Sequence, residues 1–206
     1  MIYRNRIFDD TKPAPDAALV RSIEKSLGVS LPPDYVKFIS ICNGGYAAYE
    51  FDIEFDDGTS EPLGFGALYS FVSPGSWETL PFELDEDRKL DGFPPQGVLP
   101  IARDGGGSKL YLDLRDGYRV VAFVSGLPAW TGLRGQDSLV TVAKSFDDYL
   151  DGLYLTNDMI VDSITHFDPR YNKPELMAEL FDTGSPDWRT VHAEIWDRHV
   201  VNRSDG

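Results

Sequence analysis

Apolar residues near the start of the chain recur with the period of a helix. Leu19, Ile23 and Leu27 fall at every fourth position, which puts them on one helix face. Gly28 follows at once, where positive φ is cheap only for glycine and a helix ends readily. Pro32 and Pro33 suit the first turn of a second helix, because proline there forfeits no intrahelical bond. Tyr35, Phe38, Ile39 and Cys42 continue at helical spacing, and Asn43-Gly44-Gly45 stops the helix and turns the chain. Two packed helices are therefore predicted over residues 16–43. Residues 1–15, mixed in polarity and rich in proline near their end, are expected to form an arm or a short edge strand.

The period then shortens to two. Glu50-Phe51-Asp52-Ile53-Glu54-Phe55-Asp56 alternates without a break. Phe51, Ile53 and Phe55 share one face of a strand, and four carboxylates share the other. Asp57-Gly58 is a turn signal, and residues 64–72 are expected as the returning strand, with Gly64 and Gly66 allowing a bend or bulge. Ser73-Pro74-Gly75 predicts a turn and residues 91–97 a loop. A strand meander is predicted over residues 99–124, with Leu110, Leu112 and Leu114 alternating against Tyr111 and Asp113, and a turn at Asp116-Gly117. Trp130 falls in a loop by composition. Ser145 with Asp148 resembles a capping box, and Phe146, Tyr149, Leu150 and Leu153 continue on one helix face. Residues 174–181 and 186–200 read as helices, the second with Trp188, Val191 and Ile195 on one face.

Composition adds bounds. The chain has 206 residues, 42% hydrophobic and 13% aromatic, enough to bury a core in one domain with an appendage. The expected division is an α+β domain over residues 1–156 and a helical extension over 157–206. That extension should pack on the same domain, since about 50 residues are marginal alone. The expected fold is α+β, a mostly antiparallel sheet flanked by N- and C-terminal helices. No run of about 18 apolar residues suggests a membrane span, and the start lacks the apolar segment of a secretory signal. The single Cys42 precludes an internal disulfide and suits a reducing compartment, so a cytoplasmic location is expected. Its place on an apolar helix face favours a buried, inert thiol.

The net charge is −15, which argues against nucleic acid and anionic lipid as direct partners. Residues 31–100 carry 13 acidic and 3 basic side chains, so most of the excess is concentrated there. A concentrated acidic field speeds encounter with a basic partner, although a solvated face that only promotes solubility has the same composition.

Several chemistries are excluded by spacing. Asp52, Glu54 and Asp56 begin like a calcium loop, but the sixth and twelfth positions hold Asp57 and Leu63 instead of Gly and Glu. Neighbouring carboxylates on one strand face are poorly placed as a glycosidase pair. Asp104-Gly105-Gly106-Gly107-Ser108-Lys109 has Ser before Lys and a strand after it, unlike a phosphate loop. His192-Ala193-Glu194 lacks the cysteine pair of a zinc deaminase, and His192 and His199 have no clustered ligands. No G-x-S-x-G elbow occurs. No catalytic residue, cofactor or metal is expected, and the three histidines read as structural or surface residues.

Three blocks in order resemble the SUKH superfamily, which comprises a yeast cell-wall regulator domain and many bacterial relatives. The first is Leu27-Gly28, Leu31-Pro32, Asp34-Tyr35, Phe38 and Asn43-Gly44-Gly45. The second is Leu99-Pro100-Ile101-Ala102, Asp104-Gly105-Gly106-Gly107 and Tyr111-Leu112-Asp113-Leu114. The third is Val142-Ala143, Ser145-Phe146 and Tyr149-Leu150, similar to the family's closing helix. The resemblance covers about residues 16–155 and fades beyond.

The bacterial relatives are widely immunity proteins that bind a secreted polymorphic toxin, often a nuclease. The resemblance therefore implies a non-enzymatic inhibitor that neutralises a cognate protein toxin in the cytoplasm of the producing bacterium. Nuclease toxins carry basic grooves that a carboxylate row can occupy in place of phosphates. The expected toxin-binding residues are Glu50, Asp52, Glu54, Asp56 and Asp57, with Tyr46, Tyr49 and Trp77 as aromatic anchors. A buried Trp77 closing the core is the alternative to an exposed one. The alternative function, implied by the yeast relative, is a non-enzymatic regulatory or scaffold domain that binds a host protein.

Overall fold

The computed structural model describes residues 1–71, 97–115, 117–127 and 135–201. The expected turn at 73–75, Trp77, the acidic group between residues 78 and 91, most of the loop at 91–97, Asp116 and Trp130 lie outside the described residues.

The chain opens with a hairpin of β1 (Ile2–Tyr3) and β2 (Arg6–Ile7), turned by Arg4 and Asn5 at φ +45° and +57°. Paired positive φ values match the right-handed twist of the flanking strands. An arm follows, so both forms expected of residues 1–15 occur. Helix α1 (Ala17–Leu27) starts where the Asp16 carboxylate accepts from the Leu19 amide and stops at Gly28, φ +72°. Helix α2 (Pro33–Ile39) buries Tyr35, Phe38 and Ile39. Cys42 lies one turn past its end, fully buried, and burial pushes its thiol up to about 11.

Among the described residues, six antiparallel strands form the main sheet: β3 (Gly45–Tyr46), β6 (Ala67–Leu68), β7 (Val98–Arg103), β8 (Lys109–Asp113), β9 (Arg119–Val124) and β10 (Ser138–Ala143). Their order across the sheet is β10-β9-β8-β7-β6-β3. A separate hairpin joins β4 (Phe51–Glu54) to β5 (Ser60–Leu63). The returning strand is thus 60–63 and not 64–72. Residues 67–68 instead insert between β3 and β7. Pro62 disguises β5, because proline is tolerated only on a strand edge. Strand β10 has no counterpart in the sequence-based expectations.

Helix α3 (Phe146–Gly152) closes the core over the sheet. The Tyr35 and Phe146 rings meet edge to face at 4.9 Å, and Phe38 lies 4.8 Å from Phe146. Leu99, Ile101, Leu110, Leu112, Val120, Ala122 and Leu150 fill the space beneath. Each buried leucine, isoleucine or valine among them contributes about 1.5–3 kcal/mol. The opposite sheet face carries a smaller buried cluster of Val98, Tyr111, Val121 and Phe123. The fold is α+β, with a mostly antiparallel sheet and helices at both ends.

Beyond it come α4 (Asn157–Thr165), α5 (Pro174–Gly184), α6 (Trp188–Val191), α7 (Ala193–Trp196) and a wide helical turn at Asp197–Val201. Ile160, Ile164, Phe167, Phe181, Trp188 and Val200 join the same apolar core as the N-terminal helices. Arg6 ties these parts together. Its guanidinium donates to the carbonyls of Leu153 at 2.5 Å and Thr183 at 2.9 Å, near the C-terminal ends of α3 and α5, where a cation is favoured. Burial lowers the Arg6 pKa. Among the described residues no helix is long and apolar enough to cross a membrane.

Candidate protein-binding face

The β4–β5 hairpin presents the acidic residues as their alternation dictates. Ile53 and Phe55 are buried, and Phe51 packs on Tyr149 with ring centroids 5.5 Å apart. Asp52, Glu54 and Asp56 point the other way and are exposed. The hairpin is held by close packing beneath it, since a side chain at Gly152 would strike the Phe51 ring. Asp57 shapes the turn: its Oδ1 accepts from the Thr59 amide at 2.9 Å and hydroxyl at 2.6 Å, beside Gly58 at φ +82°.

Glu50 stands at the foot of the row and is half-buried. Its backbone pairs both ways with Tyr154, N to O at 2.9 Å and 3.0 Å. The Tyr154 hydroxyl donates to Asp52 Oδ1 at 2.5 Å. Burial first, then the Asp52 carboxylate, pushes Tyr154 up to about 12. Burial, with Asp52 and then Asp158 nearby, holds the Glu50 carboxyl above its usual range. Tyr154 and Asp158 therefore belong to this face, although neither is singled out by the sequence. The signal for them was weak: Asp158 reads as an ordinary first-turn acid of α4.

The aromatic expectations divide. Tyr49 is 2% exposed and faces the core, which removes it as an interface anchor. Its hydroxyl accepts from the Ile7 amide at 2.8 Å and donates to Thr183 Oγ1 at 2.7 Å, whose own proton goes to the Leu180 carbonyl. Period two puts position 49 on the same face as Phe51, Ile53 and Phe55, and the structure keeps it on that inward face, opposite the acidic row. Tyr46 is 57% exposed but lies on the edge strand β3, in an open groove with Ala67, Arg103 and Lys109. None of the five carboxylates lines that groove. Trp77 is outside the described residues.

The remaining motif residues are structural. Asn43 is fully buried, and its amide donates to the carbonyls of Pro13 at 2.6 Å and Phe71 at 3.0 Å while its Oδ1 accepts from the Phe71 amide at 2.8 Å. Gly45, at φ +102°, has room for no side chain, since a Cβ would lie 2.2 Å from the Asp9 carbonyl oxygen. Asp104 Oδ1 accepts from the amides of Gly106 and Ser108, both at 2.8 Å, and so closes the glycine-rich turn on itself. His192 is buried with Nε2 3.0 Å from Asn157 Oδ1.

Asn43, Gly45, Asp104 and the aromatic cluster of Tyr35, Phe38 and Phe146 all sit in the three sequence blocks, and their contacts explain why those letters are used. Among curated proteins, none matches this sequence. The sequence model of the SMI1/KNR4 family (SUKH-1), however, matches residues 14–152, from the arm through the end of α3, and the chain belongs to that family.

Proposed function

We propose that this chain is an immunity protein: a non-catalytic inhibitor that binds a cognate protein toxin in the cytoplasm of the bacterium that makes both. The observation that carries this reading is the exposed row of Asp52, Glu54 and Asp56 on a hairpin anchored in the core. Alternate strand positions repeat about every 7 Å, so the row offers regularly spaced negative charge on a rigid support. Such a row suits a basic groove built for a phosphate backbone, and a nuclease is the toxin class whose active surface it fits best. Membership of the SUKH-1 family supports a protein partner.

The test is co-expression with the product of the adjacent gene, scored by survival of the host and by co-purification at low and high salt. Rescue with salt-sensitive binding that weakens when Asp52, Glu54 and Asp56 become Ser supports the acidic face. Rescue indifferent to those changes keeps the inhibitor role and moves the interface. Absence of rescue and of binding sinks the reading in favour of a regulatory scaffold domain.

A further inference from the structure

The segment Leu153-Tyr154-Leu155 links α3 to α4, and each of its residues is fastened to a different part of the chain. The Leu153 carbonyl accepts from Arg6 Nη2 at 2.5 Å. Tyr154 exchanges both backbone bonds with Glu50, at 2.9 Å and 3.0 Å. The Leu155 amide donates to the Gly184 carbonyl at 2.9 Å. Leu153 and Leu155 are buried, so the alternation of an extended segment turns Tyr154 outward between them.

The bridge between Glu50 and Tyr154 is antiparallel. Residues directly opposite in such a pair share a face, and the diagonal neighbour, here Asp52, is within reach of an aromatic side chain. The Tyr154 hydroxyl makes that reach and donates to Asp52 Oδ1 at 2.5 Å, the length of a charge-assisted bond. One carboxylate of the acidic row is thus held in a set orientation by a residue from beyond α3.

Arg6 in turn sets the segment that carries Tyr154. Besides Leu153, its guanidinium donates to the carbonyls of Thr183 at 2.9 Å and Asp151 at 3.3 Å, and it lies 5.6 Å from the centre of the Tyr49 ring. The SUKH-1 family model spans residues 14–152. Glu50 and Asp52 lie inside that span, whereas Arg6, Tyr154 and Asp158 lie outside it. Two stretches flanking the family core, joined by a bond between residues 147 positions apart, therefore meet beside a row that the core itself carries.

We propose that Arg6 and Tyr154 are positioning residues of the protein-binding face: Arg6 fixes the 153–155 segment, Tyr154 fixes the Asp52 carboxylate, and Asp52 so held receives a Lys or Arg side chain of the partner. A carboxylate oriented before encounter loses less conformational freedom on binding. A hydroxyl that only competed with the partner for Asp52 would have the opposite effect, so the sign of the change on removing it separates the two roles. The proposal rests on the acidic-face reading above and names the residues outside the family core that tune that face.

The test uses the full chain with labelled carboxyl carbons, followed by NMR, and a short oligolysine peptide as the probe. Couplings that report the Asp52 χ1 rotamer should show one rotamer in the parent and averaging in Tyr154→Phe. With the Asp52 carboxyl resonance followed during titration, Tyr154→Phe should bind the peptide about fivefold more weakly than the parent. Arg6→Met should speed exchange of the Glu50 and Tyr154 amides and average the Asp52 rotamer, and Arg6→Lys should restore part of both. Tyr154→Phe decides the proposal alone if Arg6→Met does not fold. A single Asp52 rotamer in Tyr154→Phe, or peptide binding as tight as the parent's or tighter, overturns the proposal while the acidic face stands. A peptide that leaves the parent's Asp52 resonance in place overturns the acidic-face reading, and the proposal with it.

Discussion

The carboxylate of Asp34 caps the helix that begins at Phe146. Its Oδ2 accepts from the amides of Phe146 at 3.1 Å and Asp147 at 3.2 Å, while Oδ1 accepts from the Tyr35 amide at 2.8 Å. Ser145 Oγ accepts the next amide, that of Asp148, at 3.0 Å. Three of the four orphan donors at the start of α3 are thus satisfied, two of them by a residue 112 positions away. Asp34→Ala is expected to lower stability by about 1–2 kcal/mol and Ser145→Ala by about 1 kcal/mol. Urea unfolding should show a lower midpoint at unchanged slope. An Asp34→Ala protein as stable as the parent would mean that the two helices are held by ring packing alone.

Asp113 is the buried acid whose removal should matter most. It is 1% exposed and pairs with Arg115 at 2.8 Å and Arg119 at 3.0 Å. The Arg115 side chain, above all, holds its carboxyl down to about 2. A depressed carboxyl stabilises the fold fully above the range where an unfolded aspartate titrates, near pH 4. That contribution, about 2 kcal/mol, is lost as pH falls toward 2. The gap in urea midpoint between the parent and Asp113→Asn should therefore be wide at pH 6 and close progressively below pH 4. A gap independent of pH would assign the loss to packing.

Tyr49 joins three parts of the chain through one hydroxyl: the Ile7 amide, Thr183 and the core. Tyr49→Phe leaves the partly buried Ile7 amide without its acceptor, a cost of about 1–3 kcal/mol. The loss should be local as well as global. Amides of β2 and of α5 should exchange faster before those of β7–β9 do, because the hydroxyl is a link between the extension and the sheet. Uniform acceleration across the chain would contradict a local role.

How legible these features were depended on range. The α1 and α2 faces, the Gly28 stop and the Ser145 cap follow from spacing within a few residues, and the structure has them where that spacing puts them. The inward set Ile53 and Phe55 and the outward set Asp52, Glu54 and Asp56 were equally local. Tyr49 was misjudged as an anchor although period two already puts it on the inward face with Ile53 and Phe55; only its bond to Thr183, 134 residues away, lay beyond the reach of any periodicity. Asp34 was visible as a motif letter, but its task at Phe146 was not, for the same reason. Strand β10 was missed because only Val140 and Ala143 are buried in it, too sparse an alternation to stand out beside a glycine-containing loop.

Replacing Asp52, Glu54 and Asp56 together by Ser should separate binding from stability. All three are exposed, and like charges on one strand face repel, so the folded state should change by less than about 0.5 kcal/mol per site. Asp52 gives up the bond from the Tyr154 hydroxyl. Association with a basic partner should instead slow by about tenfold at low salt, and the difference should shrink as salt is raised. Stopped-flow association at several ionic strengths gives both numbers. A slower rate that does not respond to salt would point to altered shape and not to lost charge.

Glu50 should make binding depend on pH. Its carboxyl is held above the ordinary range by burial and by the charges of Asp52 and Asp158, with the Tyr154 hydroxyl already committed to Asp52. A raised carboxyl disfavours the ionised folded state, so its effect is destabilising at neutral pH and disappears once both folded and unfolded chains are protonated. Glu50→Gln should accordingly raise the urea midpoint at pH 7 and leave it unchanged below about pH 4. A cationic partner acts in the opposite direction, because its charge offsets Asp52 and Asp158 and draws Glu50 into the ionised form. Binding should then release protons and tighten as pH rises through the Glu50 titration, a trend that Glu50→Gln flattens. Calorimetry in two buffers of different ionisation enthalpy measures that release directly. Equal proton release by the parent and by Glu50→Gln would show that the partner docks away from the foot of the acidic row.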